Sequence, residues 1–204
     1  MLSKRHAVLA KIAAQDDTRP ILQHIRVTSE YAEACDGFFH LRIPQDPETA
    51  FTQAPVKAGS PLTTPVLIPA PAVVEALKHV DKQKWGNKFV SVGVKEEGVT
   101  LFARDEGADH PYEVVIPQDG KAKNYPNMGR LIPEHAPSSQ SGVYIGLTLH
   151  CLKYLVAAME ALGANIVRLQ AHDWKSPVRL EFSGEGNSEV VGIMMPGYWK
   201  EEKE

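Results

Sequence analysis

A chain of 204 residues, 43% of them hydrophobic, with a net charge of −3 has enough apolar surface for one large core or two small ones, which excludes the disordered and fibrous classes. No apolar run approaches the roughly 20 residues that span a bilayer, and the opening MLSKRHAVLAKIAAQDD is charged and lacks a signal-peptide core, so a soluble cytoplasmic protein is expected. A negative sum does not exclude nucleic acid, which needs only a local basic face.

In chain order, Lys4 to Gln15 carries Val8, Leu9, Ile12 and Ala13 on one helical face, with Lys4, Arg5 and Lys11 off it. Asp16, Asp17 and Arg19-Pro20 stop this helix. Ile21 to Thr28 and Tyr31 to Ile43 read as strands, with Asp36-Gly37 offering a turn or bulge. Residues 45–64, rich in Pro, Thr, Gly and Ala, read as a surface loop. Pro65 to Ala70 is a short strand. Pro71 to Val80 is a helix with proline at its head, where the first-turn donor has no intrahelical partner to lose. Strands follow at Phe89–Val94, Val99–Arg104 and Tyr112–Ile116. Next comes the connector NYPNMGRLIPE, Asn124 to Glu134, whose Pro126 and Pro133 bar a continuing helix or central strand. Val143 to Leu147 then reads as a strand, His150 to Leu162 as a helix closed by Gly163, and Asn165–Ala171, Pro177–Phe182 and Glu189–Met195 as the last strands.

These segments superpose. A shift of 78 carries Leu67, Val74 and Leu77 onto Ile145, Leu152 and Leu155, and a shift of 65 carries Leu9, Ile12 and His24 to Val27 onto Val74, Leu77 and Phe89 to Val92. The chain therefore reads as α+β, three copies of a strand, a helix and three strands. The first copy has no room before Lys4 for its leading strand, which would leave a sheet edge open and point to self-association.

Catalytic chemistry finds little footing. The eight histidines form no HxH, HxxxH or HExxH pattern and the two cysteines no CxxC, so no metal site, cofactor or enzymatic activity is expected. The phosphate-binding glycine signatures are also missing from the sequence. Cys35 and Cys151 read as separate buried thiols rather than a disulfide. Asp105, Asp109 and His110 read as a polar hairpin, and Cys35 beside His24 or His40 as a buried strand cysteine rather than a thiolate pair.

Four stretches carry a resemblance: RPILQHIRVTSEYAEACDGFFHLRI at Arg19–Ile43, VLIPAPAVVEAL at Val66–Leu77, YPNMGRLIP at Tyr125–Pro133, and SPVRLEF with VVGIMMPG between Ser176 and Gly197. Together they resemble the bacterial DNA polymerase III beta subunit, the sliding clamp, here as a short divergent or truncated member. The resemblance implies a clamp fold of two-unit domains, with helices lining a ring and antiparallel sheets outside it. Residues 1–133 would form one complete domain, its two units joined by the 45–64 loop, and residues 134–204 half of another with a polar tail.

It also implies partners. Duplex DNA would be held non-specifically through its phosphates by Lys4, Arg5, Lys11, Lys78, Lys82 and Lys153. Clamp-binding peptides of a DNA polymerase or other replication and repair proteins would enter a groove lined by Gly37, Leu41, Pro126, Arg130, Leu131, Val178, Met195 and Pro196. A ring of six two-unit domains would take four such chains, or three if a fourth, degenerate unit lies in the loops, so a homo-oligomer is expected. The sequence departs from the clamp pattern in having Phe38-Phe39 after the Asp-Gly pair, Gly129 at the connector's first Arg position, and Gly197-Tyr198-Trp199 after the final Met-Pro. The reading that follows is a non-catalytic processivity or DNA-tethering factor. Its alternative is a clamp-fold interaction module that does not encircle DNA.

Overall fold

The computed structural model of the chain describes residues 1–46, 59–80, 89–103, 111–118, 120–130, 132, 145–171 and 176–197. The first unit comprises β1 (Leu2–Ser3), a 3-10 turn (Lys4–His6), α1 (Ala7–Ile12), β2 (His24–Val27), β3 (Tyr31–Cys35) and β4 (Phe39–Pro44). The second is β5 (Val66–Pro69), α2 (Ala70–Lys78), β6 (Phe89–Lys95), β7 (Gly98–Ala103) and β8 (Tyr112–Ile116). After two 3-10 turns at Lys121–Asn124 and Met128–Arg130, the third unit supplies α3 (Leu149–Leu162), β9 (Val167–Gln170), β10 (Val178–Phe182) and β11 (Val191–Met194).

All strand pairs are antiparallel, in a four-stranded sheet of order β1-β6-β7-β8 and a seven-stranded sheet of order β5-β2-β3-β4-β11-β10-β9. The first two units exchange their leading strands. β1 of the first pairs with β6 of the second, Leu2 opposite Val90, while β5 of the second pairs with β2 of the first, Ile68 opposite Ile25. The third unit joins edge to edge, β11 continuing the sheet from β4 with Gly192 opposite Leu41.

This exchange corrects two expectations from the sequence. The first unit does have a leading strand, only two residues long, because fully buried Leu2 anchors it and the Nδ1 of His6 accepts from the Ser3 amide at 3.0 Å, turning the chain straight into α1. In the third unit, 145–148 take no regular structure, although a strand was expected at Val143–Leu147; residues 143 and 144 lie outside the described residues. The physical reason lies in the topology: a leading strand is completed by the companion unit of its pair, and no companion stands beside the third unit among the described residues.

Local chemistry accounts for the other boundaries. Pro20–Gln23 forms a 3-10 turn, so the strand expected from Ile21 begins only at His24. Asp36-Gly37 makes a turn, not a bulge: the Asp36 carboxylate accepts from the amides of Phe38 at 2.8 Å and Phe39 at 2.7 Å, and Gly37 sits at φ +100 where an L side chain is strained. α3 is capped at both ends, by the Thr148 hydroxyl accepting from the Cys151 amide and by Gly163 in the left-handed region. No helix of the described residues is long and apolar enough to cross a membrane.

α1 packs against both α2 and α3, so the three helices lie side by side with α1 in the middle. Between helices and sheets runs one core containing Leu9, Ile12, Ile25, Leu41, Ile68, Leu101, Leu180 and Met194. Strand alternation puts Ala34, Leu41, Gly192 and Leu180 in one row on this inner side. Gly192 is required there, since a Cβ would meet Leu180 Cδ1 at 2.9 Å.

Candidate functional site at the joint of the first and third units

The outer face of the seven-stranded sheet has the opposite parity. One cross-strand row runs Arg26, Glu33, Arg42, Val191, Glu181, Arg168 and the next Cys35, His40, Ile193, Arg179, Gln170. Glu33, fully buried, anchors the first row: it binds Arg26 at 2.5 Å, Arg42 at 2.8 Å and His40 at 3.1 Å. Burial opposes its ionisation, but the hydrogen bond from His40 and the guanidiniums of Arg42 and Arg26 overcome this and hold the carboxyl at about 2. Burial pushes His40 below the usual imidazole range. His40 thus serves as a neutral Nε2–H donor to Glu33, and the charge is balanced by the two arginines. Arg42 also stacks on Tyr31, 4.0 Å from the ring centroid.

The connector lies over this outer face. Tyr125 and Met128 bury against Leu67 and Cys35, both of outward parity, together with Leu22 and Ala14. A Cβ at Gly129 would stand 3.7 Å from Arg42 Nη2, so the Met128–Arg130 turn passes over the Arg26–Glu33–Arg42 cluster, with Pro126 and Arg130 exposed to solvent. The Cys35 thiol accepts from the Gly37 amide at 3.1 Å, and burial pushes it up to about 11, which leaves it a protonated, inert side chain. Both cysteines are free and buried.

At the edge of the joint the Asp36-Gly37 turn meets the chain end of β11. The Met195 amide donates to the Phe38 carbonyl at 2.8 Å, and Cys151 Sγ lies 3.8 Å from the Met195 carbonyl. His150 reaches Asp36 at 2.6 Å, and Phe38, His150, Tyr154 and Phe39 form a chain of edge-on and tilted rings. Phe38 is 59% and Met195 37% exposed, so an adaptable apolar lip faces solvent here.

The residues expected in the groove are thus divided. Met195 reaches the lip through Phe38, the residue after Gly37, while Pro196 is buried, and Pro126 and Arg130 lie exposed on the connector. Leu41 and Val178 turn inward and are fully buried in the helix-facing core. Leu131 lies outside the described residues. Sequence reasoning passed over His40 and Ile193, which share the connector's side. Alternation would have found them, because Leu41 and Met194 occupy the opposite face.

Of the basic positions, Lys4, Lys11 and Lys153 are exposed on the helical layer. Arg5 is committed to Asp46 at 2.6 Å and to the carbonyls of Pro44 and Gly186, and Lys78 pairs with Glu75 at 2.7 Å. Lys82 lies outside the described residues, as do Asp105, Asp109 and His110. Among the described residues no group of three or more His, Cys, Asp or Glu could hold a metal ion.

An α+β protein of this topology, with helices in one layer, swapped leading strands and sheets that continue from unit to unit, has the sliding-clamp fold. Solved structures make the likeness specific. The beta subunit of DNA polymerase from Streptococcus pyogenes superposes with a TM-score of 0.63 over 95% of this chain and 62% of its own, at 14% identity. The C. crescentus beta sliding clamp gives 0.63 over 96% and 62%, at 15% identity. The Helicobacter pylori beta clamp bound to a DNA ligase peptide gives 0.63 over 97% and 64%, at 13% identity. The chain thus spans less than two thirds of the length of these clamps. Neither a protein-family model nor a curated protein sequence matches it.

Proposed function

We propose that the chain is a non-catalytic clamp-type tethering factor of the cytoplasm, assembling as an oligomer around duplex DNA and receiving partner peptides at the joint of its first and third units. The observation that carries this reading is the contiguous helical layer α2-α1-α3 backed by sheets that run on from unit to unit, a fold shared with bacterial beta clamps. Exposed Lys4, Lys11 and Lys153 on that layer would meet phosphates loosely, as sliding requires, without reading bases. The exposed Phe38 and Met195 lip suits a short peptide with apolar anchors, in keeping with the ligase peptide bound by the Helicobacter clamp.

The test is retention on nicked circular against linearised duplex. Retention on the circle alone is expected, weakened roughly tenfold or more at about 0.1 M salt by Lys4→Glu with Lys11→Glu and Lys153→Glu; equal loss from both forms would remove encirclement. Arg130→Ala with Met195→Ala should weaken a clamp-type peptide roughly tenfold, and unchanged affinity would sink the groove.

The second reading, an interaction module that does not encircle DNA, is favoured by the commitment of Arg5 and Lys78 to intramolecular pairs. It calls for peptide binding that survives the lysine reversals with no preference for circular duplex.

A further inference from the structure

The third unit is built like the second but, among the described residues, stands without a companion, and the positions left exposed are the ones the second unit uses to bind the first. The shift of 78 that aligns the two helices also aligns their burial: Cys151, Leu155 and Ala158 are buried, as are Val73, Leu77 and Val80. Under the same shift, Leu149, Leu152 and Val156 fall on Pro71, Val74 and Lys78. Those three residues of α2 line the cleft it shares with α1, whose other wall includes Ala10, Ala14 and Gln15.

In the third unit the corresponding stripe is apolar and open, Leu149 69% exposed, Leu152 37% and Val156 53%, with Ile166 69% exposed at the foot of β9. α1 packs against α3 as well as α2, so among the described residues this stripe has no helix over it. Exposed contiguous apolar side chains of this kind mark an interaction surface.

The backbone tells the same story. β9 is the third unit's counterpart of β6, and where β6 is flanked by β7 and by the exchanged β1, β9 has, among the described residues, β10 alone. Residues 145–148 occupy the place of an exchanged leading strand. Ile145 and Leu147 already pack on the core, yet among the described residues the segment's one backbone hydrogen bond from beyond its own helix turn is the Gly197 amide donating to Gly146 at 2.8 Å. Among the described residues the unit therefore presents both halves of an exchange, an edge that lacks a leading strand and a leading segment that lacks an edge.

From this geometry we infer that the third unit binds the third unit of a second copy of this chain. The two would be related by a two-fold axis, the 145–148 segment of each pairing with β9 of the other and the Leu149, Leu152, Val156 stripes packing helix to helix. A second copy is the occupant because it satisfies both deficits at once and reproduces a contact the chain already makes between its first two units. A lone peptide strand would fill one edge and leave the helix stripe bare. Such a contact is isologous and closed. It goes beyond the DNA-tethering reading and depends on the fold alone.

Multi-angle scattering of the full chain at about 50 µM should give a particle of two copies of the 22.4 kDa chain, or of four where two such dimers close a ring. Leu152→Asp with Val156→Asp, at solvent-exposed positions, should retain the wild-type circular dichroism and raise the dimer dissociation constant at least about 100-fold, since each charge would be buried without a counter-ion. In hydrogen exchange the amides of Val167–Gln170 should gain protection with concentration in the wild type and not in the variant. A monomeric wild type, a variant that dimerises equally well, or β9 amides indifferent to concentration would each overturn the inference. Retention on circular DNA is a separate readout: a dimer that fails it leaves this contact standing and removes the tethering function.

Discussion

The second and third units carry the same pattern of segment, helix and three strands, yet among the described residues only the second is finished. In the second, β5 is a paired strand and the α2 groove is shared with α1; in the third, 145–148 are irregular and the matching helix stripe is bare. The difference teaches that a leading segment of four residues does not make a strand by itself. Its hydrogen bonds come from the first strand of the companion unit, and without that edge its amides turn elsewhere.

That contrast can be broken most forcefully at the helices. Ile12→Ala removes a fully buried side chain from the paired side and should cost about 3 kcal/mol of unfolding free energy in urea. Leu152→Ala, on the bare side, should stay within about 0.5 kcal/mol where the chain is monomeric; a large loss there would mean that the stripe is already covered.

Next in size is the ionic cluster under the connector. Glu33→Gln should cost about 3 kcal/mol at neutral pH by leaving Arg26 and Arg42 without their shared carboxylate. The wild-type protein should also lose stability in acid. Burial, only partly offset by Asp46, lowers His6 from 6.5 to about 4, so the unfolded state takes up the proton first and stability drains as pH falls across that interval. Glu33, held at about 2 against 4.5, adds a further loss from pH 4.5 downward. Denaturation midpoints that do not move between pH 7 and 4 would contradict the buried, neutral state of His6.

A smaller loss than that of Glu33→Gln sharpens the joint itself. Gly37→Ala strains a residue at φ +100 and must displace Arg19, whose Nη1 would lie 2.2 Å from the new Cβ. About 1–2 kcal/mol is expected, with peptide affinity falling in step because the adjacent Phe38 carbonyl holds Met195.

The sequence by itself determined what is local. Amphipathic spacing at Val73 and Leu77 or Leu155 and Ala158 set the helices, the short reach of the Asp36 carboxylate set the turn before β4, and Gly163 ended α3. These features gather their contacts within a few residues of the chain, so reading along it suffices. Tertiary structure alone decided which strand completes which unit, because β1 with β6 and β2 with β5 pair residues far apart in the chain, Leu2 with Val90 and Ile25 with Ile68. It also decided which side of the sheet holds the groove: alternation divides β4 into Leu41 on one face and His40 with Arg42 on the other, but only the register with β11 and the passage of the connector over Arg42 tell which face looks outward.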